Sequence, residues 1–313
     1  VLRLIGNRIA TSIPLLLIVT LIVFVLQAFV PGDAARTILG ENANPQTVAA
    51  LRDQLGLNEP LVSRYGDWLA GALHGDLGTS IISGVDVMSS LDTRLGVTLS
   101  LLVPSMLLSA VAGIALGFAS AVRGGFLGRV IDVVSLLGFA LPSFWIALLL
   151  VAALAERANL LPATGYTPFA ESPGDWLRSI VLPVIALSLH GITAVAKQTR
   201  DSVAEVLEAD YVRFLRANGV GTTSLLLRHV LRNAAIPVVT SLGLVSIGML
   251  SGAVFIENVF VLPGLGTLAT QATLDHDVPV ILGVGVVLTL AVIVVNLLID
   301  IAYGLLNPKV RAA

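Results

Sequence analysis

The chain has no cysteine, little charge and almost no lysine, and each shortage removes a class of function. Without cysteine among its 313 residues there are no disulfides, no thiol catalysis and no cysteine-bound metal. The two lysines, Lys197 and Lys309, follow Ala196 and Pro308. Neither fits the G-x-x-x-x-G-K-[S/T] loop that cradles nucleotide phosphates, so any ATP hydrolysis must come from another polypeptide. His74, His190, His229 and His276 form no H-E-x-x-H pair, and no G-x-S-x-G elbow is present. A zinc peptidase and a serine hydrolase are thereby disfavoured. Charged residues make up 12% of the chain, against about 25% in an average soluble domain. With a net charge of −2, no nucleic-acid partner is expected.

What remains is apolar. Hydrophobic residues make up 56% of the sequence, and the mean hydropathy is +0.94. Both values indicate an all-α polytopic membrane protein. A helix needs about 20 apolar residues to cross the bilayer core. Six runs meet that length approximately: Ile9–Val30, Gly96–Val122, Ile131–Ala155, Ile180–Ala196, Ile236–Ile256 and Val278–Leu305. The fourth is the shortest. Pro14, Pro104, Pro142 and Pro183 lie in or near them, and spanning helices tolerate proline when neighbours satisfy the freed carbonyl. The first run follows Arg3 and Arg8. It exceeds the roughly 7–15 residues of a signal-peptide core and has no small-x-small cleavage site after it, which favours a retained helix over a cleaved signal.

Cations set the orientation. If the N-terminus is cytoplasmic, the inside segments hold 12 cations and the outside segments 6. The short loops drive that ratio, because residues 31–95 carry four of the outside six and long segments count little. Both termini are therefore expected in the cytoplasm. Of the 18 cations, 16 are arginine, which reads as base composition rather than mechanism. Within the extracytoplasmic segment 31–95, Asn44 is placed to cap a helix that has Pro45 first, Gly56 just past its end, and Val48, Leu51 and Leu55 on one face. A second short helix is predicted from Pro60 to Leu73, with Tyr65, Trp68 and Leu69 as its packing residues. A docking surface for an outside partner is the alternative use of that helix.

The cytoplasmic segment 197–235 departs from the rest. Between Lys197 and Pro237 lie six cations and four acids, Asp201, Glu205, Glu208 and Asp210. The pattern predicts that the fourth span continues as a helix to about Ala217. Gly219 and Gly221 then interrupt it, and Thr222, Thr223 or Ser224 caps another helix. On that helix Leu227, Leu231 and Ala234 fall at helical spacing, and Arg228 and Arg232 share a second stripe beside His229 and Asn233. The result is two short amphipathic helices joined at a glycine on the membrane surface. A solvated loop whose arginines only set topology, or a helix that touches anionic lipid, would not need the aliphatic stripe, the glycine break and the final proline together.

This segment resembles the cytoplasmic loop of ATP-binding-cassette (ABC) importer permeases, specifically the first ("B") permease subunit of dipeptide and oligopeptide transporters. The matching residues are Asp210-Tyr211-Val212-Arg213, Arg216-Ala217, Gly219, Arg228-His229, Leu231-Arg232-Asn233-Ala234 and Ile236-Pro237. The resemblance continues along nearly the whole chain in GDLGTS (75–80), LPSFW (141–145), LPATGY (161–166), VFVLPGLG (259–266) and NLLIDIAYGLLNPKVR (296–311). Two departures concern the loop. Arg213-Phe214-Leu215 stands where many importers have Glu-Ala-Ala, and Asn218 where this subfamily usually has lysine.

The resemblance implies a single transmembrane domain over 1–313 with six membrane helices, the type I ABC importer permease fold, and an insertion between helices 1 and 2. It implies a multi-pass subunit of the bacterial cytoplasmic (inner) membrane, non-catalytic, embedded in lipid and without a cofactor of its own. ATP and magnesium would be bound by two partner ATPase subunits. A second permease subunit would complete the pathway, and an extracytoplasmic binding protein would deliver peptides. Nickel or glutathione is the alternative cargo, and a stand-alone secondary carrier the alternative class. The carrier is disfavoured by the lack of an internal repeat and of ionisable groups at mid-membrane. The resemblance makes Gly219 the bend between the two short helices. It assigns ATPase-coupling roles to Asp210, Tyr211, Arg213, Arg216, Gly219, Arg228, His229, Arg232, Asn233 and Pro237.

Four further residues are candidates for the pathway or for packing. Gly248 and Gly252 form a GxxxG pair, as do Gly113 and Gly117; close helix packing is the default reading of both. The fifth span borders the pathway in this family, so the second pair also has a rocking role open to it. Asn296 and Asp300, with Tyr303, share a face of the last span, where structural bonding is favoured over an ion site. His190, in mid-span, is expected to hydrogen bond to a neighbouring helix.

Overall fold

The computed structural model describes residues 2–32, 34–40 and 43–306, all in helices and connecting segments apart from one isolated bridge. The helices are α1 (Leu2–Phe29), α2 (Ala34–Leu39), α3 (Pro45–Gln54), α4 (Leu61–Leu73), α5 (Val87–Arg123), α6 (Gly125–Ala140), α7 (Ser143–Leu150, extended by π turns over Val151–Arg157), α8 (Pro173–Glu208) and α9 (Asp210–Ala217). They continue with α10 (Thr222–Phe260), α11 (Leu265–Leu274) and α12 (Val278–Leu306).

Five helices among the described residues are long and apolar enough to cross a membrane: α1 over Ala10–Phe29, α5, α8, α10 and α12. At about 1.5 Å per residue, the 20 residues of Ala10–Phe29 match the hydrocarbon thickness and the 29 residues of α12 exceed it. Pro14, Pro104 and Pro183 lie inside helices, as the sequence predicts. Pro142 does not. The run Ile131–Ala155, expected as one span, is broken at Leu141-Pro142, so no continuous helix there reaches spanning length. Proline has no N–H to offer the preceding turn, and its ring pushes the residue before it out of the helical region. Pro142 instead begins α7, and its carbonyl accepts from the Trp145 N–H at 3.0 Å.

The chain divides into two compact units. Of the described residues, one consists chiefly of 99–262 and 294–306, and the other of those within 3–98 and 263–293. In the first, α8 is the central helix. About two thirds (67%) of its most apolar stretch is buried, against 11–28% in the other four long helices. Small residues let its neighbours close on it. A Cβ at Gly113 would stand 2.7 Å from Val195 Cβ, and one at Gly117 would overlap the Ala196 carbonyl oxygen. Ser105 and Ser109 donate to the carbonyls of Val184 and Ser188 at 3.4 and 3.1 Å. The first GxxxG pair is thus a packing device. On another side of α8, Ser135 donates to the Thr193 carbonyl at 3.3 Å. Asp132 receives Arg200, with Lys197 3.6 Å away, and Lys197 also pairs with Asp201 at 2.9 Å.

In the second unit, the segment 31–95 carries α2, α3 and α4. Asn44 caps α3 as expected, its side chain accepting from the Gln46 N–H at 3.0 Å, with Val48 buried beneath. Helix α4 begins after Pro60 and ends at Leu73. Tyr65 stacks on Trp68 at 6.0 Å, lies 5.4 Å from Phe24 and hydrogen bonds Thr20 at 2.9 Å. Trp68 packs on a core of Leu77, Val87, Leu91, Leu265, Ala272 and Val280 and donates to the Leu77 carbonyl at 3.2 Å. The GDLGTS stretch is a compact turn in which Asp76 accepts from the Gly78 N–H at 2.8 Å. Ser80 donates to buried Asp277 at 2.5 Å, and the same carboxylate accepts from the Ile81 N–H at 3.1 Å. Asn307 through Arg311, the end of the last sequence motif, lie outside the described residues, and Lys309 and Arg311 with them.

Candidate functional site

The 197–235 segment folds on a small apolar core of its own: Val203, Val212, Leu225, Val230 and Ala234, with Leu207, Leu215, Val220 and Phe118 packed around it. Three details differ from the sequence expectation. Helix α8 does not run on to Ala217. Ala209, at φ −65° and ψ 142°, is extended and separates α8 from α9. The cap of α10 is Gly221, and Thr222 is already its first residue. Leu227 does not share a buried stripe with Leu231 and Ala234, because it is 56% exposed. Residues Leu225–Val230 form a π segment, and its wider turn carries Leu225 and Val230, five apart, onto the core. A wheel drawn at 3.6 residues per turn selects the wrong leucine.

Gly219 lies between α9 and α10 at φ +75°, a left-handed conformation costly for any residue with a Cβ. Its N–H bonds to the Arg216 carbonyl at 3.1 Å, and the Val220 N–H to the Leu215 carbonyl at 3.2 Å. These bonds end α9 and turn the chain. Nothing lies within 4 Å of the space a Cβ would occupy, so the requirement for glycine is conformational.

The other residues named from the sequence lie mostly on the outside of this fold. Asp210, Tyr211, Arg213, Arg216, Arg228, Arg232, Asn233 and Pro237 are exposed, and His229 is half-buried. Asp210 and Arg213 form a loose pair at 3.5 Å, of the exposed kind that contributes about 0–1 kcal/mol. The Asn233 amide donates to the Tyr211 hydroxyl at 2.9 Å and to the His229 carbonyl at 2.8 Å. It is a cross-strut from α10 to α9, which spacing along one helix cannot reveal. Arg228 and Arg232 leave their guanidinium groups at the surface.

The strut yields a prediction. Asn233→Ala removes a bond worth about 0.5–1.5 kcal/mol, and Tyr211→Phe removes the same bond from the other side. Each is expected to lower the activity that depends on this fold several-fold without lowering the amount of folded protein. The double variant should be no worse than Asn233→Ala alone, which also loses the bond to the His229 carbonyl. Additive losses, measured as initial uptake rates, would show that the two side chains act separately.

The second candidate group divides. A Cβ at Gly252 would touch Leu187 and Ser143, but at Gly248 it would meet open space, so this GxxxG pair is not a packing device like the first. Both glycines line a cavity of about 250 Å³ with Pro142, Ser143, His190 and Met249. His190 Nδ1 lies 3.2 Å from the Gly138 carbonyl oxygen. That carbonyl is the acceptor a helical N–H at position 142 would have used, and Pro142 has none. The imidazole of one helix thus serves the carbonyl freed in another, the arrangement expected of His190 with its partner now identified. Asn296 and Asp300 are half-buried on α12 and are not among the residues lining this cavity. Tyr303, on the same face, bonds to Thr240 of α10 at 2.5 Å.

LPATGY forms the wall of a separate, more polar cavity of about 600 Å³ with Asn159, Asp175 and Arg178. Its Gly165 N–H bonds to the Phe260 carbonyl at 2.9 Å, and its Tyr166 hydroxyl to Ser100 at 3.1 Å.

Comparison with known proteins accounts for both ends of the chain. The family model described as the binding-protein-dependent transport system inner membrane component matches residues 113–312. A second, for the N-terminal part of the membrane component of such systems, matches residues 1–102. A Brucella abortus protein that carries the name of a peptide transport system permease is 39% identical over 309 residues, 98% of each chain. A Sinorhizobium fredii protein named as a peptide ABC transporter permease, y4tP, is 37% identical over 97% of this chain and 98% of its own. The glutathione transport system permease protein GsiC of Salmonella choleraesuis is 36% identical over 97% of both.

Proposed function

We propose, since this chain belongs to the family of binding-protein-dependent transport system inner membrane components and is a non-catalytic permease subunit of an ABC importer, that its cargo is short peptides. In this reading it forms half of a pathway completed by a second permease subunit. Two ATPase subunits drive it through residues 197–235 on the cytoplasmic side, and an extracytoplasmic binding protein loads it. The broken run α6–α7 serves as the sixth crossing, with both termini in the cytoplasm. The segment 31–95 is the insertion between the first two crossings.

The observation that carries the coupling role is the continuity of α8. Its 36 residues include Leu187 and His190 at the cavity and Val203 in the core of the 197–235 fold. Displacement of that fold by an ATPase would be transmitted along a single rigid helix to the cavity and to the Pro142 break. The cavity itself has no carboxylate or ammonium group among its described lining residues, which suits brief passage and leaves selection to the binding protein. The peptide assignment has narrower support: the relatives at 37–39% identity bear peptide names, and the glutathione permease stands at 36%.

The test is calorimetry on the importer's binding protein with dipeptides, longer peptides, glutathione and nickel ion, followed by competition for uptake through the assembled importer. Tight binding of di- or oligopeptides, and competition by them, is the expected result. Binding of glutathione or nickel alone would replace the peptide assignment while leaving the permease role intact.

A further inference from the structure

A cavity of about 270 Å³ in the second unit, far along the chain from the coupling segment, collects cationic and apolar groups at the C-terminal end of α1. Phe24 and Leu61 form part of its apolar wall, and Gln27, Arg52, Arg64 and His276 supply the polar one. The Arg64 guanidinium sits 5.8 Å from the centre of the Phe24 ring. Burial lowers its pKa from the usual arginine value, and attraction to Glu59 only partly offsets that. Arg64 is thus a half-buried cation, still charged at neutral pH, whose lost hydration Glu59 does not replace. Gln27 Oε1 is buried without a hydrogen-bond partner; rotating the amide would present its NH₂ at the same place. His276, in the left-handed region at φ +57°, holds its ring against Gly32, where any Cβ would overlap it. The neighbouring carboxylate of Asp277 is committed to Ser80 and Ile81. Arg52, which has interactions of its own, adds positive potential at the rim.

A guanidinium, an imidazole and a carboxamide around one space suit an oxyanion. The position of the cavity indicates its source. Helix α1 has the length and composition of a membrane span, and its surface up to the cavity is open and apolar: Ile22 is 51% exposed, Leu26 59% and Phe29 79%. Acyl chains lying on that surface would bring a headgroup to the mouth of the cavity. We propose that this cavity seats the phosphodiester headgroup of an anionic phospholipid, with Arg64 as its principal partner and His276 and Gln27 completing the shell.

The test uses the full chain in neutral detergent, titrated with dioleoylphosphatidylglycerol, with dioleoylglycerol of the same chains, and with inorganic phosphate. Bound lipid is read by native mass spectrometry and by thermal unfolding. Saturable binding and stabilisation are expected for phosphatidylglycerol alone. Arg64→Gln should weaken binding by about tenfold, the loss of one charge-assisted contact. Glu59→Gln should tighten it about threefold by removing the competing carboxylate, so the idea does not depend on a variant that loses function. Unchanged affinity in both variants would overturn the proposal. So would equal binding of dioleoylglycerol, which marks an acyl seat only, or saturation by inorganic phosphate alone, which marks a free-anion site.

Discussion

Gly219→Pro is expected to abolish uptake by the assembled importer while leaving the subunit inserted and folded. The native φ of +75° is closed to proline, whose ring fixes φ near −65°. The substitution also deletes the N–H that bonds the Arg216 carbonyl. The damage is local, because the open surrounding space gives no reason for it to spread. The angle between α9 and α10 must therefore change, and with it the outer surface of the 197–235 fold. Gly219→Ala, which keeps the N–H and carries only the left-handed penalty of roughly 1–2 kcal/mol, should fall between proline and wild type. Uptake and ATP hydrolysis measured together in vesicles decide the point. Continued hydrolysis with lost uptake marks uncoupling, and wild-type uptake with proline would remove Gly219 from the coupling device.

Gly117→Leu is expected to produce the largest loss of folded subunit. Here the obstacle is backbone, since a side chain at 117 collides with the Ala196 carbonyl oxygen and with Thr199, and α8 cannot retreat without opening its other contacts. Overpacking of this kind costs about 1–3 kcal/mol when side chains can yield and more when they cannot. Gly248→Ala is the control, with the same motif at an exposed position and nothing within 4 Å of the added Cβ. Thermal unfolding in detergent should show a large loss for the first variant and little change for the second. Equal losses would mean that both glycines serve packing alike.

That contrast shows what a sequence motif can carry. Two GxxxG pairs share close packing as their default reading because the pattern records only the absence of side chains on one face, whereas the neighbour that fills the space belongs to another helix. The Pro142 break escaped for a related reason. Hydropathy over Ile131–Ala155 is uninterrupted, and averaging along a window does not register one missing N–H. Proline at mid-span was visible, but not whether it would kink a helix or end one, nor that His190 of another helix would meet the freed Gly138 carbonyl. In the segment 197–235, Gly219 was legible because left-handed turns select for glycine. Asn44 was legible because a helix cap is a local event. The π segment at Leu225–Val230 and the strut from Asn233 to Tyr211 were not. Both depend on packing between α9 and α10, and a one-residue change of helical period moves the buried face from Leu227 to Leu225 and Val230.

The central claim is that this subunit carries no energy source and receives one through residues 197–235. Reconstitution tests it directly: labelled peptide uptake into vesicles that hold the subunit alone, or the subunit with its second permease, ATPases and binding protein, each with and without ATP. Accumulation is predicted only for the complete assembly supplied with ATP. Accumulation by the lone subunit in nucleotide-free vesicles would contradict the account.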